Sequence, residues 1–432
     1  MVATSKVESL KKYLVENPKR VWGENAPVPI FADMSKPELE GQKEFLRLGT
    51  SICNWFSRSL QDKYRLPIEF LVLERPQPNA WAVWPGTYYG VLLTTSLIEN
   101  MQSVCGQVIR FLKSAENSSE KFFLKTAWDA LPHNEESYES YGGLLAHIAF
   151  TFIVNHELAH VGLGHERAFA LKRENEQVSA DMFVSEECIG EIYDVAAAVG
   201  DSKLKNWEYF QALEVDADIN GLVNTRFLVF YLKSQFENKG LQEAGSMGPV
   251  WNAVLTNDYA RELAISIGVA IGLFCLRPRI EKAKSGLLEG RTHPPLPTRL
   301  MLLQHMNNRF SGPSTSDVRG DSILVASALF MMLSQAESLL QCGVSSVQQE
   351  ATANNTNRVV DDALRLFGTQ EALARYDVIG AHFKKLQPVM QELRKITMPW
   401  TRVNLDECFK WEESEDVGAL KTNKSGAKRT ER

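Results

Sequence analysis

The 432-residue sequence has few of the features that mark disulfide-stabilised, redox or nucleic-acid-binding proteins. Its 6 cysteines never form a CxxC pair, so we expect reduced, buried thiols in a reducing compartment and neither a zinc ribbon nor a dithiol motif. No block of basic residues occurs, and the net charge is −6. Charge therefore gives no reason to expect a nucleic-acid partner.

The sequence also shows no secretory leader and no long hydrophobic run. Its first residues, MVATSKVESLKKYL, contain neither an apolar core nor a small-residue cleavage site. The one run that suggests a membrane covers only residues 263–276, whereas a transmembrane helix needs about 20 apolar residues. We expect this run to be a buried core helix, with an interfacial or re-entrant segment as the alternative. The chain is thus predicted to be cytoplasmic, without stable membrane insertion.

Changes in hydrophobic periodicity divide the chain into four parts. Hydrophobic residues make up 44% and charged residues 23% of the sequence, as in ordinary globular proteins. The predicted parts are an N-terminal helical extension, a main domain with a polar, irregular insert, a C-terminal helical region and a polar, disordered tail. In that order they cover residues 1–65, 66–310 with the insert at 105–140, 320–400 and 412–432.

The main domain is predicted to begin with a small sheet that leads into a helix. Short apolar runs bounded by proline and glycine at residues 67–73, 80–84 and 87–93 are typical of strands. Ser96 and Glu99 then match a capping box, which predicts a helix starting directly after Ser96. Because helical patterns dominate the rest, the expected fold class is mainly α with a small β-sheet (α+β).

Residues 142–163 are predicted to form a buried central helix, because they are apolar on every face. This helix carries an HExxH motif at His156, Glu157 and His160. Side chains four apart share a helix face, so both imidazoles can reach one ion, and zinc favours such ligands. Glu157 can then act as general base on the water at the open coordination position. Unpaired polar groups in an apolar helix are costly, which favours a metal site over packed core histidines.

A catalytic zinc site needs a third protein ligand, and an acidic cluster further along the chain can supply it. Glu214 and Asp218 are four residues apart and share a helix face. One of them can bind the metal, while the other accepts the free N–H of a ligating histidine and fixes its orientation. Asp216 lies off this face and is the alternative acid.

Several blocks of the sequence, in the same order, resemble the HtpX / CAAX prenyl protease / Oma-type family of zinc metallopeptidases. The resemblance covers about residues 66–300, more than half of the chain. The matching blocks are PNAWA at 78–82, TTSL at 94–97, HELAHV with a following GH at 156–165, EVDAD at 214–218 and THPP with an arginine at 292–299. The ordered set is more specific than HExxH, which many unrelated peptidases share.

The resemblance implies a zincin-like gluzincin core around the buried HExxH helix, with extra helices at both ends. It implies one Zn²⁺ per chain, bound by His156, His160 and Glu214, with Glu157 as general base. Asp218 is then the acid that supports a ligating histidine. The implied reaction is hydrolysis of a peptide bond in a protein or peptide substrate.

The resemblance also points to residues around the cleft. His293 or Arg299 is expected to steady the oxyanion. His293, which precedes two prolines, is alternatively a ligand that blocks the metal or a structural hydrogen-bonding residue. A sheet-edge strand is expected to bind an extended substrate, with an ordinary core strand as the alternative. Its residues are Asn79, Ala80, Trp81 and Ala82.

Two other histidines have weaker signals. His165 follows Gly162 and Gly164, which can end the helix, so we expect it to leave the ligand line for the surface or for the surroundings of the site. His147 is expected to be a packed core histidine.

Three functions fit these residues. The leading hypothesis is a zinc endopeptidase with a restricted protein substrate. A phage-exclusion protease of Lit type, acting on one host protein, uses the same chemistry and is the first alternative. A metal-stabilised helical scaffold that binds protein partners without cleaving them is the second, and the presence of Glu157 argues against it.

Overall fold

A computed structural model describes most of the first 276 residues and shorter segments beyond them. The described residues are 6–18, 28–33, 35–59, 67–84, 89–116, 135–165, 182–183, 206–239, 248–276 and parts of 294–310 and 381–394. They are mainly helical, with one small mixed sheet, which confirms the expected mainly α architecture.

The helices and strands follow one another in a simple order. The α-helices are α1 (Lys6–Glu16), α2 (Lys43–Ser59), α3 (Thr95–Glu116), α4 (Glu135–Leu163), α5 (Asn206–Lys239), α6 (Gly248–Thr256) and α7 (Asp258–Leu276), with a 3-10 helix (Pro37–Gln42) before α2. The strands are β1 (Ile68–Leu73), β2 (Ala80–Trp84), β3 (Tyr89–Thr94) and β4 (Met182–Phe183). Residues 383–394, here called the C-terminal helix, are also helical.

The strands form one sheet in the order β1-β3-β2-β4. Strand β3 lies parallel to β1, with Ile68 opposite Tyr89, and antiparallel to β2, with Ala80 opposite Leu93. Every residue of β3 is buried, as expected for a strand covered on both faces. The short β4 pairs only with the last two residues of β2.

Helices from the N-terminal part of the chain cover the sheet. Leu10 and Leu14 of α1 pack with Trp81 and neighbouring strand residues on one face. On the other face, Phe45 of α2 packs against Phe150 of α4, with ring centroids 5.0 Å apart. The predicted N-terminal extension is therefore helical, but its helices help to enclose the sheet.

The prediction that residues 105–140 form an irregular insert is wrong at both ends of this segment. Helix α3 continues to Glu116 and α4 begins at Glu135. Val108 and Ile109 are buried, whereas Arg110 is exposed, so this segment is an amphipathic helix whose polar side suggested irregular structure. The rest of the insert, at 117–134, lies outside the described residues, as do most of the predicted C-terminal helical region and the whole predicted tail at 412–432.

The predicted capping box at Ser96 is also wrong, because α3 begins one residue earlier, at Thr95. The Leu97 N–H donates to Thr94 Oγ1 at 3.1 Å, so the last residue of β3 caps the helix. The same hydroxyl accepts the Asn79 N–H at 3.0 Å. One threonine thus satisfies backbone groups at the start of α3 and beside the start of β2.

Helix α4 is the centre of the fold, as its all-round hydrophobicity predicted. It packs against α2, α3, α5, α6, α7, β2 and β3. Helix α7, which contains the predicted core helix at 263–276, approaches it at two glycines. A Cβ on Gly268 would lie 2.6 Å from Ile148 Cγ2, and one on Gly272 would lie 3.0 Å from the Ala149 carbonyl oxygen. These glycines let the two helix backbones come close together.

Helices α4 and α7 are long and apolar enough to cross a membrane by length and composition. In each, 89% of the most apolar window is buried inside the protein. Core helices pass the same test of length and hydropathy, and the burial agrees with the core-helix interpretation of residues 263–276.

We predict that Gly272→Ala destabilises the protein, because the new methyl group would meet Phe152 and the Ala149 carbonyl. The expected loss is about 1–3 kcal/mol, the usual cost of overpacking. Gly106→Ala in α3 is the matched control, since nothing lies within 4 Å of its added Cβ. The control is expected to gain about 0.5–1 kcal/mol. Chemical unfolding of both variants checks this, and equal effects would contradict the close packing of α4 and α7.

Candidate metal centre

Three buried or largely buried side chains converge where α4 and α5 cross. His156 Nε2 lies 3.3 Å from His160 Nε2 and 3.4 Å from Glu214 Oε2. His160 Nε2 lies 3.5 Å from the other oxygen of that carboxylate, Glu214 Oε1. These three residues form a group that could hold a metal ion.

The spacing within His156, His160 and Glu214, here called the donor triangle, is compatible with a metal ion such as zinc. Zinc–nitrogen and zinc–oxygen bonds of about 2.0–2.1 Å in a tetrahedral site place neighbouring donor atoms about 3.3–3.4 Å apart. Each of the three observed separations lies within about 0.2 Å of that spacing, with the two histidines facing different oxygens of Glu214. Two imidazoles and one carboxylate are also a donor set that zinc prefers and that leaves one coordination position open.

The close approach of α4 and α5 brings these groups together. A Cβ built on Gly221 of α5 would lie 3.2 Å from the backbone N and Cα of His156. Glycine therefore lets the α5 backbone touch α4 at the first histidine of the motif. Glu214 lies nearly two helical turns before this contact and Asp218 about one turn before it, both on the part of α5 that faces the histidines.

A carboxylate and an arginine support His156 from behind. His156 Nδ1 lies 3.0 Å from Asp218 Oδ1. Arg299 Nε and Nη2 each donate to one Asp218 oxygen at 2.7 Å, the bidentate geometry of a strong charge-assisted pair. All three groups are buried. This places Asp218 where the sequence predicted a supporting acid.

The contacts of Arg299 are with acidic side chains of the metal centre, whereas its predicted role was to steady the oxyanion. Its guanidinium is bound to Asp218, and its Nη2 lies 3.7 Å from Glu214 Oε2. It therefore braces two acidic side chains of the centre, and a role at the oxyanion stays a prediction. The predicted oxyanion residue His293 lies outside the described residues.

Sequence reasoning missed a second set of contacts, on the other histidine. His160 Nδ1 lies 2.8 Å from His165 Nδ1, and His165 Nε2 lies 3.7 Å from Asp216 Oδ2. Asp216 in turn accepts two hydrogen bonds from Arg394 of the C-terminal helix. The sequence indicated that Asp216 lies off the face shared by Glu214 and Asp218. Nothing local in the sequence connects it with Arg394.

Charge also favours a cation at this place. Among the described buried groups around the donor triangle, carboxylates outnumber guanidiniums by two. A protonated His156 offsets part of this excess in the metal-free protein, and a divalent cation in its place would offset more of it. The carboxylates are Glu157, Glu214, Asp216 and Asp218, and the guanidiniums are Arg299 and Arg394.

The same charges shift the pKa values of the site. Burial acts to lower the pKa of His156, but the contacts with Asp218 and Glu214 outweigh it and raise this pKa to about 9. Burial acts to raise the pKa of Asp218, yet Arg299 and His156 hold it below its usual value. Without metal, the His156 ring is therefore positively charged at neutral pH, with a proton on each nitrogen. A metal ion at Nε2 would replace one of these protons.

The remaining predicted residues lie on or near α4. Glu157 is buried on the same helical turn as His156. Strand β2 packs on α4, and its Ala80 and Ala82 lie on the side of the central core, whereas Trp81 packs towards α1. The Asn79 side chain accepts the Ala80 N–H at 2.9 Å, so it helps to fix the start of this strand.

His147 is a partly buried histidine that packs on Trp251, outside the metal centre. Its ring contacts Trp251 edge-on, with centroids 5.3 Å apart. Burial lowers its pKa to about 4, so the ring is neutral and packs as part of the core.

Comparisons of the chain with protein families, curated proteins and solved structures find no match. The function is therefore inferred from the geometry and chemistry of the metal centre.

We predict that the purified protein binds one zinc ion. Substitutions of Glu214 and Asp218 should weaken zinc binding to different extents. Glu214→Gln removes a charged ligand and should abolish stoichiometric binding. Asp218→Asn leaves the donors in place and should weaken affinity by about 10- to 100-fold, as for other residues that orient ligands. Metal analysis and competition with a chromophoric chelator measure both effects. Full zinc occupancy in Glu214→Gln would mean that another acid is the ligand.

We also predict a pH effect in the metal-free protein. The pKa of His156 is raised on folding from about 6.5 to about 9. Its protonation therefore stabilises the fold fully below pH 6.5, and this contribution is lost as the pH rises to 9. Chemical unfolding in the presence of a chelator should show this loss, and Asp218→Asn should reduce it. An identical pH dependence in the two proteins would contradict the contact between Asp218 and His156.

Proposed function

We propose that this chain is a zinc-dependent endopeptidase that hydrolyses peptide bonds in a restricted protein substrate. The observation that carries the proposal is the convergence of His156, His160 and Glu214, with Glu157 on the same turn of α4 as the first histidine. The zincin-like core and the relation to the HtpX / CAAX prenyl protease / Oma-type family are parts of this proposal.

The protein groups divide the work of hydrolysis among them. Zinc, when bound by the triad, would supply Lewis acidity towards a carbonyl group and lower the pKa of water. Glu157 would take the proton from the attacking water and later deliver it to the leaving amine. Asp218, held by Arg299, would keep the His156 ring turned with its Nε2 towards the donor triangle.

Strand β2 is the proposed binding element for an extended substrate. It packs directly on α4, which carries the histidines. Within the described part of the chain, its outer edge pairs with β4 only at Val83 and Trp84. The Ala80 N–H already donates to the Asn79 side chain, so Ala82 is the residue of that edge whose backbone has no strand partner among the described residues. An added substrate strand would pair there through its main chain, as in other β-augmentation complexes. Such a substrate would be met in the cytoplasm.

We predict that Glu157→Gln keeps zinc and fold but loses about 100-fold or more of the hydrolytic rate, because it removes the proton acceptor and spares the ligands. The assay follows cleavage of an unfolded protein, with and without chelator. Glu139→Gln is the matched control, since Glu139 is exposed on the same helix, and it should behave like the wild type.

Unchanged turnover in Glu157→Gln would contradict the mechanism. A folded, zinc-loaded wild-type protein that cleaves no substrate across a whole proteome would instead support the metal-stabilised scaffold.

A further inference from the structure

His165 lies outside the HExxH motif but is in direct contact with one of its histidines. Its ring centroid is 5.0 Å from that of His160 at an interplanar angle of 72°, and its side chain is almost wholly buried. Gly164, with a φ of 67°, makes this possible, because the left-handed conformation ends α4 and turns the chain back. At His165 the backbone thus leaves the helix face that carries His156 and His160, as expected. The His165 ring nevertheless turns back and contacts His160.

The ring atoms in contact define where the protons lie. His160 directs Nε2 towards the donor triangle, so a neutral His160 that binds a metal there carries its proton on Nδ1. That Nδ1–H points to His165 Nδ1, 2.8 Å away, which must accept it. The proton of a neutral His165 is then on Nε2, the atom nearest Asp216. The contact with His165 therefore favours the tautomer in which His160 turns Nε2 to the donor triangle, while the 3.7 Å contact between His165 and Asp216 is electrostatic and longer than a hydrogen bond.

Asp216, the last residue in the series of contacts from His160 through His165, is bound by the C-terminal helix. Arg394 Nε donates to Asp216 Oδ2 at 3.3 Å, and its Nη2 donates to Oδ1. Burial acts to raise the pKa of Asp216, but His165 and Arg394 lower it overall, so the carboxylate stays charged. A second ion pair, Lys385 with Glu208, joins the same helix to α5. The C-terminal helix is thus attached to α5 at both ends.

We propose that His165, Asp216 and Arg394 are positioning residues for the metal ligand His160, forming a second support on the opposite side of the centre from Asp218 and Arg299. The C-terminal helix is then part of the metal centre, although Arg394 is 178 residues from its partner along the chain. This inference rests on the metal-binding part of the proposed function and not on peptide hydrolysis.

The test measures zinc affinity in the full chain by competition with a chromophoric chelator. His165→Leu should weaken zinc binding by about 10- to 100-fold. It leaves the Asp216–Arg394 pair intact, so the variant should fold. His165→Asn keeps an acceptor near the position of Nδ1 and should recover most of the loss. The visible spectrum of the cobalt-substituted protein should change in His165→Leu, because the His160 ring is free to reorient.

A matched pair of double variants separates positioning from simple loss of a buried ion pair. Asp216→Asn/Arg394→Met removes both charges together and should weaken zinc binding by at least about tenfold. Arg226→Met/Glu262→Gln removes a comparable buried pair between α5 and α7, with a 3.1 Å hydrogen bond, and should leave zinc affinity unchanged. Circular dichroism verifies folding of each variant.

The outcomes distinguish this inference from the proposed function. A folded His165→Leu variant with an affinity within about threefold of the wild type, or equal losses in the two double variants, would overturn the positioning role alone. Absence of zinc binding in the wild type would overturn the metal centre itself.

Discussion

The metal centre depends on one contact, the approach of the α5 backbone to His156 at Gly221. Because Gly221 has no side chain, α5 lies against α4 and its acidic residues reach the histidines. Ala159 and Ala217 pack together at the same interface and keep the two helices close. A larger residue at Gly221 would separate the helices and open the donor triangle, since the opposing atoms belong to the backbone and cannot rotate away.

This close packing places several acidic groups in a buried region, and the rest of the chain supplies the cations that compensate them. Arg299 binds Asp218, and Arg394 binds Asp216, each with two hydrogen bonds. Both arginines come from segments that follow α7, so the complete centre requires parts of the chain far from the HExxH helix. Arg299 lies 3.7 Å from Glu214, farther than from Asp218, and the donor triangle is the place where a divalent cation fits.

The sequence allowed much of the helix-borne site to be predicted, because helical periodicity fixes which side chains share a face. The pairs at i and i+4 in α4 and α5 predicted the two histidines and an acidic pair beside them, while the family resemblance implied that Glu214 is the ligand and Asp218 the supporting acid. The contact of His165 with His160 could not be distinguished from a surface position, because it depends on the φ of Gly164. Arg394 was missed because only tertiary packing joins it to Asp216. The prediction of irregular structure at the two ends of the 105–140 segment was wrong for a related reason. An amphipathic helix with one polar face can have the composition of a loop.

The most direct test of this account is diffraction from zinc-soaked crystals at the zinc absorption edge. The account predicts one anomalous peak per chain, about 2.0–2.2 Å from His156 Nε2, His160 Nε2 and a Glu214 oxygen. It also predicts that His165 and Asp218 stay in contact with the two ligand rings. A peak elsewhere in the protein, or no peak at zinc concentrations that saturate ordinary catalytic sites, would contradict it.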